Sequence, residues 1–188
     1  MTTWIARRPH WLLMMAGVFF LGAGWIVGSA RPEQAAAAGR IASPHSGFAA
    51  PDFDLERLNG ERLRLSDLRG QVVVVNLWAT WCPPCRAEMP ALQQLYEAHQ
   101  DEGLVVVAVN ATDQDSASAA SAFVAERGLT FPVVLDPQGE ASRAYALQAM
   151  PSTFVVDRQG VIREVLIGGP VSLATLRSLV APLLEEAG

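Results

Sequence analysis

Cys82 and Cys85 are the only cysteines in the chain, and two prolines separate them. Thiols at this spacing can pass between dithiol and disulfide, and they serve redox exchange where a strand runs into a helix. Residues 72–78, Val-Val-Val-Val-Asn-Leu-Trp, predict a strand buried on both faces. Residues 86–96 predict a helix, with Leu92, Leu95 and Tyr96 at helical spacing. A helix start presents free N–H groups and partial positive charge, and both favour a thiolate over a thiol. Cys82 is therefore the expected nucleophile. Cys85, one turn in and more buried, is expected to resolve a mixed disulfide.

Composition narrows the alternatives. The length of 188 residues suits one globular domain with an appendage. Two cysteines are too few for a structural disulfide framework or a four-cysteine zinc site. The net charge of −5 speaks against a nucleic-acid surface. His10, His45 and His99 suggest no site.

The amino end does not read as part of the fold. Arg7 and Arg8 precede an apolar run over 11–30 that holds no charged residue. About 20 apolar residues suffice for a helix to cross a bilayer, and the leading arginines place the amino end in the cytoplasm. Residues 1–10 are then a cytoplasmic tip, 11–30 a transmembrane anchor, and 31–49 a flexible tether rich in small residues. A cleaved signal peptide is the alternative, since Gly28-Ser29-Ala30 and Ala35-Ala36-Ala37 both offer cleavage sites. Either way the remainder lies outside the cytoplasm. Without Arg7 and Arg8 it carries 12 basic and 19 acidic residues, a net of −7, and should not cling to anionic lipid.

The elements that must hold the cysteines follow in order. Residues 53–58 and 62–65 alternate apolar and polar about Asn59-Gly60, a hairpin signal. A single turn is expected at 66–70. Pro90 should kink the helix that follows the cysteines. Further strands are predicted over 104–109, 131–135, 154–156 and 161–167, and helices over 113–127, 141–147 and 173–186. Alternating strands and helices with a closing hairpin argue an α/β fold with a mixed sheet.

Four stretches carry a family resemblance. They are Asn76 to Pro90 around the cysteines, Ala50-Pro51-Asp52-Phe53 with Leu65-Ser66-Asp67-Leu68, Phe131-Pro132-Val133 to Asp136, and Met150-Pro151-Ser152-Thr153-Phe154-Val155-Val156-Asp157. Over residues 50–188 the chain resembles the thioredoxin fold, and specifically the membrane-tethered TlpA-like and ResA-like thiol-disulfide oxidoreductases of bacteria. The resemblance implies a central mixed β-sheet flanked by helices, with an N-terminal β-hairpin. It also implies a cis peptide between Met150 and Pro151 beside the cysteines. Met150 would then offer its backbone to a client segment as an added strand. Trp81, Pro83 and Pro84 would flank the client too. Ordinary thioredoxins carry a buried acid six residues before the first cysteine, where this chain has Asn76. Glu88, three residues past Cys85, is the acid that the TlpA-like group supplies instead.

The expected activity is reduction of client disulfides outside the cytoplasm, with no metal or organic cofactor beyond the Cys82–Cys85 pair. The resemblance implies clients in cytochrome c maturation or copper-site assembly. A membrane electron donor would return the pair to the dithiol. Two other readings stay open: a thiol peroxidase, since the opening hairpin and strand also resemble peroxiredoxins, and a copper carrier using both thiols with Met150.

Overall fold

A computed structural model describes residues 41–186. The anchor or signal expected over 11–30, the tip and most of the tether lie outside the described residues. Among the described residues no helix is long and apolar enough to cross a membrane.

Seven strands make one mixed sheet in the order β2-β1-β5-β4-β3-β6-β7. They are β1 (Asp54–Arg57), β2 (Arg62–Arg64), β3 (Val72–Trp78), β4 (Leu104–Asn110), β5 (Val133–Leu135), β6 (Ser152–Val156) and β7 (Ile162–Ile167). β3 pairs with β4 in parallel and with β6 in antiparallel fashion. The helices are α1 (Pro83–His99), α2 (Ala117–Arg127), α3 (Glu140–Ala144) and α4 (Leu173–Glu185).

Every residue of β3 is buried, as its run of valines requires of a central strand. Side chains on a strand alternate between faces. Val72, Val74 and Trp78 therefore enter the core beneath α1, where Met89, Leu92 and Leu95 meet Leu176 and Val180 of α4. Val73, Val75 and Leu77 enter a second core with Phe53, Leu55, Tyr145 and Phe154. Asn76 shares its face with Val74 and Trp78, so a polar side chain is fixed under α1.

Several boundaries differ from the sequence expectations for local reasons. α2 begins at Ala117, four residues after Asp113, because Ser116 caps it by accepting the Ala119 N–H. α3 is shorter than expected and starts at Glu140, where the Asp136 carboxylate accepts the N–H groups of Glu140 and Ser142. It ends before Ala146, whose φ of 48° is left-handed. α1 runs from Pro83 to His99 with Pro90 inside it. Residues 47–50, spanning the expected end of the tether, pack on the domain. Gly47 N–H donates to Ile162 C=O, Ile162 N–H to Phe48 C=O, and Ala50 N–H to Gly160 C=O.

Candidate active site

The end of β3 delivers the chain to Cys82, which is the N-cap of α1. Pro83 and Pro84 fill the first helical positions, where a backbone N–H has no partner within the helix in any case. The first donor available is then the Cys85 N–H, and it points at Cys82 Sγ from 3.2 Å. Two prolines therefore do not harm the helix and leave one N–H aimed at the outer sulfur. The cysteines are joined as a disulfide, and α1 turns the second of them inward. Cys85 has no exposure, and Cys82 is 3% exposed at the rim of a groove.

That groove has a volume of about 300 Å³ and is lined by Trp81, Cys82, Pro83, Pro84, Gln114 and residues 147–150. Trp81 stands at its edge, 55% exposed, with Nε1 donating to the Gln114 carbonyl over 2.9 Å. Among the described residues no backbone hydrogen bond uses the N–H or C=O of Met150. The Met150–Pro151 peptide is cis, as the resemblance implies, and leads directly into β6. Pro151 itself is buried and does not line the groove.

A buried polar cluster forms around Glu88, one helical turn past Cys85. β6 runs antiparallel to β3 in a register that sets Thr153 opposite Asn76. Asn76 Nδ2 donates to Thr153 Oγ1 over 2.9 Å and to Glu88 Oε1 over 2.6 Å. Glu88 is one helical turn beyond Cys85 and therefore on the same face of α1. It is only 1% exposed, and its Oε2 accepts the Val171 N–H over 3.2 Å. Burial pushes its pKa from 4.5 up to about 7, against the opposing pull of the Val171 and Asn76 donors. The expected place of a thioredoxin acid is thus held by a pair: Asn76 on the strand and Glu88 reaching down from the helix.

The loop over 168–171 closes this cluster. Gly168 N–H donates to the Pro151 carbonyl, and Gly169-Pro170 is a second cis peptide. A side chain on Gly169 would place its Cβ 2.9 Å from Pro151 Cγ and 3.2 Å from Glu88 Oε2. Neither the proline ring nor a doubly bonded carboxylate can easily yield. Gly169→Ala is therefore expected to lose about 1–3 kcal/mol of stability by overpacking, read from thermal unfolding, and to slow disulfide reduction by displacing Pro151 or Glu88. Unchanged melting and rate would show that this contact has slack.

Sequence reasoning did not find Gly169, Val171, Thr153 or Gln114 as parts of the site, nor Asp115. Asp115 accepts from Thr80 N–H, the Thr80 hydroxyl, Asn110 Nδ2 and Ser116 N–H. It thereby ties the turn before Cys82 to the loop after β4. Burial would raise its pKa, but donation from Thr80, Asn110 and Ser116 outweighs burial and holds the carboxyl below its usual 3.8. A group with a depressed folded pKa stabilises the fold above its unfolded pKa and loses that effect as pH falls. Asp115→Ala is thus expected to cost about 1–3 kcal/mol near neutral pH through its unpaired donors. The difference from the parent chain should shrink below about pH 4, which parallel denaturant titrations would check. Asp115 carried no motif; only the fold brings it to Thr80.

The AhpC/TSA family model matches residues 47–165, most of the described domain. The chain belongs to the AhpC/TSA family. The thiol-disulfide oxidoreductase ResA of Geobacillus thermodenitrificans is 39% identical over 122 residues, which span 65% of this chain and 69% of the relative. The thioredoxin-like protein YneN of Bacillus subtilis is 42% identical over 123 residues, covering 65% and 71% respectively. Among solved structures, StoA from Bacillus subtilis superposes with a TM-score of 0.61 at 30% identity, covering 68% of this chain and 95% of StoA. A Chlorobium tepidum protein assigned as the thiol:disulfide interchange protein DsbE gives 0.69 at 34% identity, over 74% and 98%. The fold is thioredoxin-like, and the enzyme is a thiol-disulfide oxidoreductase of the ResA and DsbE type.

Proposed function

We propose that this oxidoreductase works as a reductase of client disulfides outside the cytoplasm, held at the membrane by residues 11–30. Cys82 as thiolate attacks one sulfur of a client disulfide, and the client's other sulfur leaves as a thiolate. Cys85 then gives its proton to Glu88 and attacks Cys82 Sγ. The client departs with two thiols, and the enzyme is left with the Cys82–Cys85 disulfide. Two electrons pass from enzyme to client in each cycle. A membrane electron donor must then return the pair to the dithiol. No metal or organic cofactor enters these steps.

The observation that carries this reading is the division of the pair: Cys82 at the groove, Cys85 and a protonatable Glu88 buried behind it. Trp81, Pro83, Pro84 and Met150 flank the entering client segment, with the unpaired Met150 backbone adding it as a strand. Pro151 supports that edge from beneath. The clients we favour are apocytochromes or copper-site proteins carrying an oxidised cysteine pair. A peroxidase reading has less support: the peroxiredoxin likeness implies a lone acidic cysteine helped by a threonine and an arginine, whereas here Cys82 is paired with Cys85, the Thr80 hydroxyl donates to Asp115 and Arg86 lies over Phe123.

The deciding experiment gives the full chain, with a recycling dithiol, either insulin or hydrogen peroxide. Rapid insulin reduction with negligible peroxide consumption is the expected result. Peroxide turnover that outpaces insulin reduction would replace the reductase reading. Equilibration against glutathione then gives the direction of electron flow, because about 30 mV shifts this two-electron equilibrium tenfold.

A further inference from the structure

We propose that Asn76 is a positioning residue whose side-chain amide turns over as the Glu88 carboxyl gains or loses a proton. Both oxygens of Glu88 face donors: Oε1 meets Asn76 Nδ2, and Oε2 meets the Val171 N–H. That arrangement suits a carboxylate. A proton on either oxygen would point an O–H at an N–H, and one of the two partners must then change. The Val171 amide is fixed by its backbone. The Asn76 amide is not, and it holds an idle acceptor, because Oδ1 is buried without a hydrogen-bond partner. Buried polar atoms are rarely left so.

A half-turn about the last side-chain bond of Asn76 exchanges Oδ1 and Nδ2. Oδ1 then accepts the Glu88 O–H. The second neighbour allows the same exchange, since Thr153 Oγ1 accepts from Nδ2 in one state and donates to Oδ1 in the other. Each orientation of the amide thus pairs with one protonation state of the acid, the group left without a partner changing from Oδ1 to Nδ2, a cost that the Glu88 O–H and Thr153 O–H bonds to Oδ1 offset. The cluster holds no competing charge to force the choice. Asn76 from β3, Thr153 from β6, and Gly169 and Val171 from the loop before α4 bring no titratable side chain. On α1 itself Cys85 lies one turn away and is tied in the disulfide. Burial places the Glu88 titration near 7, within the working range of such a switch.

The consequence rests on the reading of Glu88 as the base for Cys85. A carboxylate that receives a proton in a buried site would ordinarily leave a mismatched donor pair. With Asn76 turning, the proton arrives on Oε1 and meets an acceptor at once.

Infrared spectroscopy separates the structural inference from the catalytic one. The chain has three asparagines, Asn59, Asn76 and Asn110. The oxidised full-length chain is grown with side-chain 13C-labelled asparagine, and the labelled carbonyl band is followed from pH 5 to 9. One component is expected at high frequency above the Glu88 midpoint, where Oδ1 is free. It should move to lower frequency below it, where Oδ1 accepts twice, and the movement should vanish in Glu88→Gln. A stationary band while the Glu88 carboxyl band titrates would overturn the inference, as would a movement that persists in Glu88→Gln. Thr153→Val removes one partner of each state, so the low-frequency component should shift back partway; no change there would also count against it. Failure of the base reading would look different: the band moves as expected, while the rate of client reduction ignores the Glu88 titration.

Discussion

Cys82→Ser will abolish disulfide reduction, and Cys85→Ser will stop it one step later with the client still attached. The two sulfurs differ by position on a single helix. Cys82 is the N-cap, where the Cys85 N–H points at its sulfur and the start of α1 offers partial positive charge. Both effects favour the thiolate, and the thiolate is the attacking form. A serine oxygen in that place stays protonated at neutral pH, so turnover should fall below detection. Cys85 has no solvent exposure and can reach only the Cys82 sulfur, which it attacks once the client is bound there. Cys85→Ser should therefore form a mixed disulfide with an oxidised client and hold it, visible as a one-to-one adduct by non-reducing electrophoresis and mass spectrometry. In the reduced parent chain, iodoacetamide should modify Cys82 well before Cys85. Equal labelling, or an adduct formed through Cys85 in Cys82→Ser, would reverse the roles assigned to the pair.

The part of this site that could be read from sequence is the part encoded in a contiguous stretch. A valine run, two cysteines about two prolines, and a helical repeat of leucines specify strand, cap and helix without help from elsewhere. The hairpin about Asn59-Gly60 was legible for the same reason, and β1 and β2 pair as expected. Glu88 came from the family resemblance, and its place three residues past Cys85 agrees with one turn of the same helix. Its partners carried no such signal. Asn76 meets Thr153 because β6 runs antiparallel beside β3 in one register, and a sequence separation of 77 residues hides that from any local pattern. Asp115 falls within the helix expected over 113–127 and carries no motif of its own; only the parallel pairing of β3 and β4, which brings the ends of both strands together, sets it beside Thr80. Its capture of Thr80 also explains why α2 starts late. The Gly169-Pro170 loop had no signal at all, because glycine there answers to the space left by Pro151 and Glu88.

Glu88→Gln will reduce the rate of client reduction by roughly 100-fold, at the low end of what a positioned base supplies, and will remove a titration near pH 7 from the rate profile. Glutamine keeps the length of the side chain and loses the site that takes the Cys85 proton. If Cys82 attack were limiting at all pH values, the profile would instead follow the Cys82 thiolate and survive the substitution. Stability provides an independent check, and its sign follows from burial. The folded chain holds the Glu88 proton up to about pH 7, whereas an unfolded chain releases it near 4.5. Between those values the folded state binds more protons, so stability falls as pH rises. Across the full window the loss amounts to about 3 kcal/mol, at 1.36 kcal/mol for each pH unit. Glu88→Gln should flatten this slope, which denaturant unfolding at pH 5 and pH 8 would measure in both chains. A slope that persists would mean that Glu88 is not the group losing its proton. A flattened slope with an unchanged rate profile would leave Glu88 as a buried structural acid and require another base for Cys85.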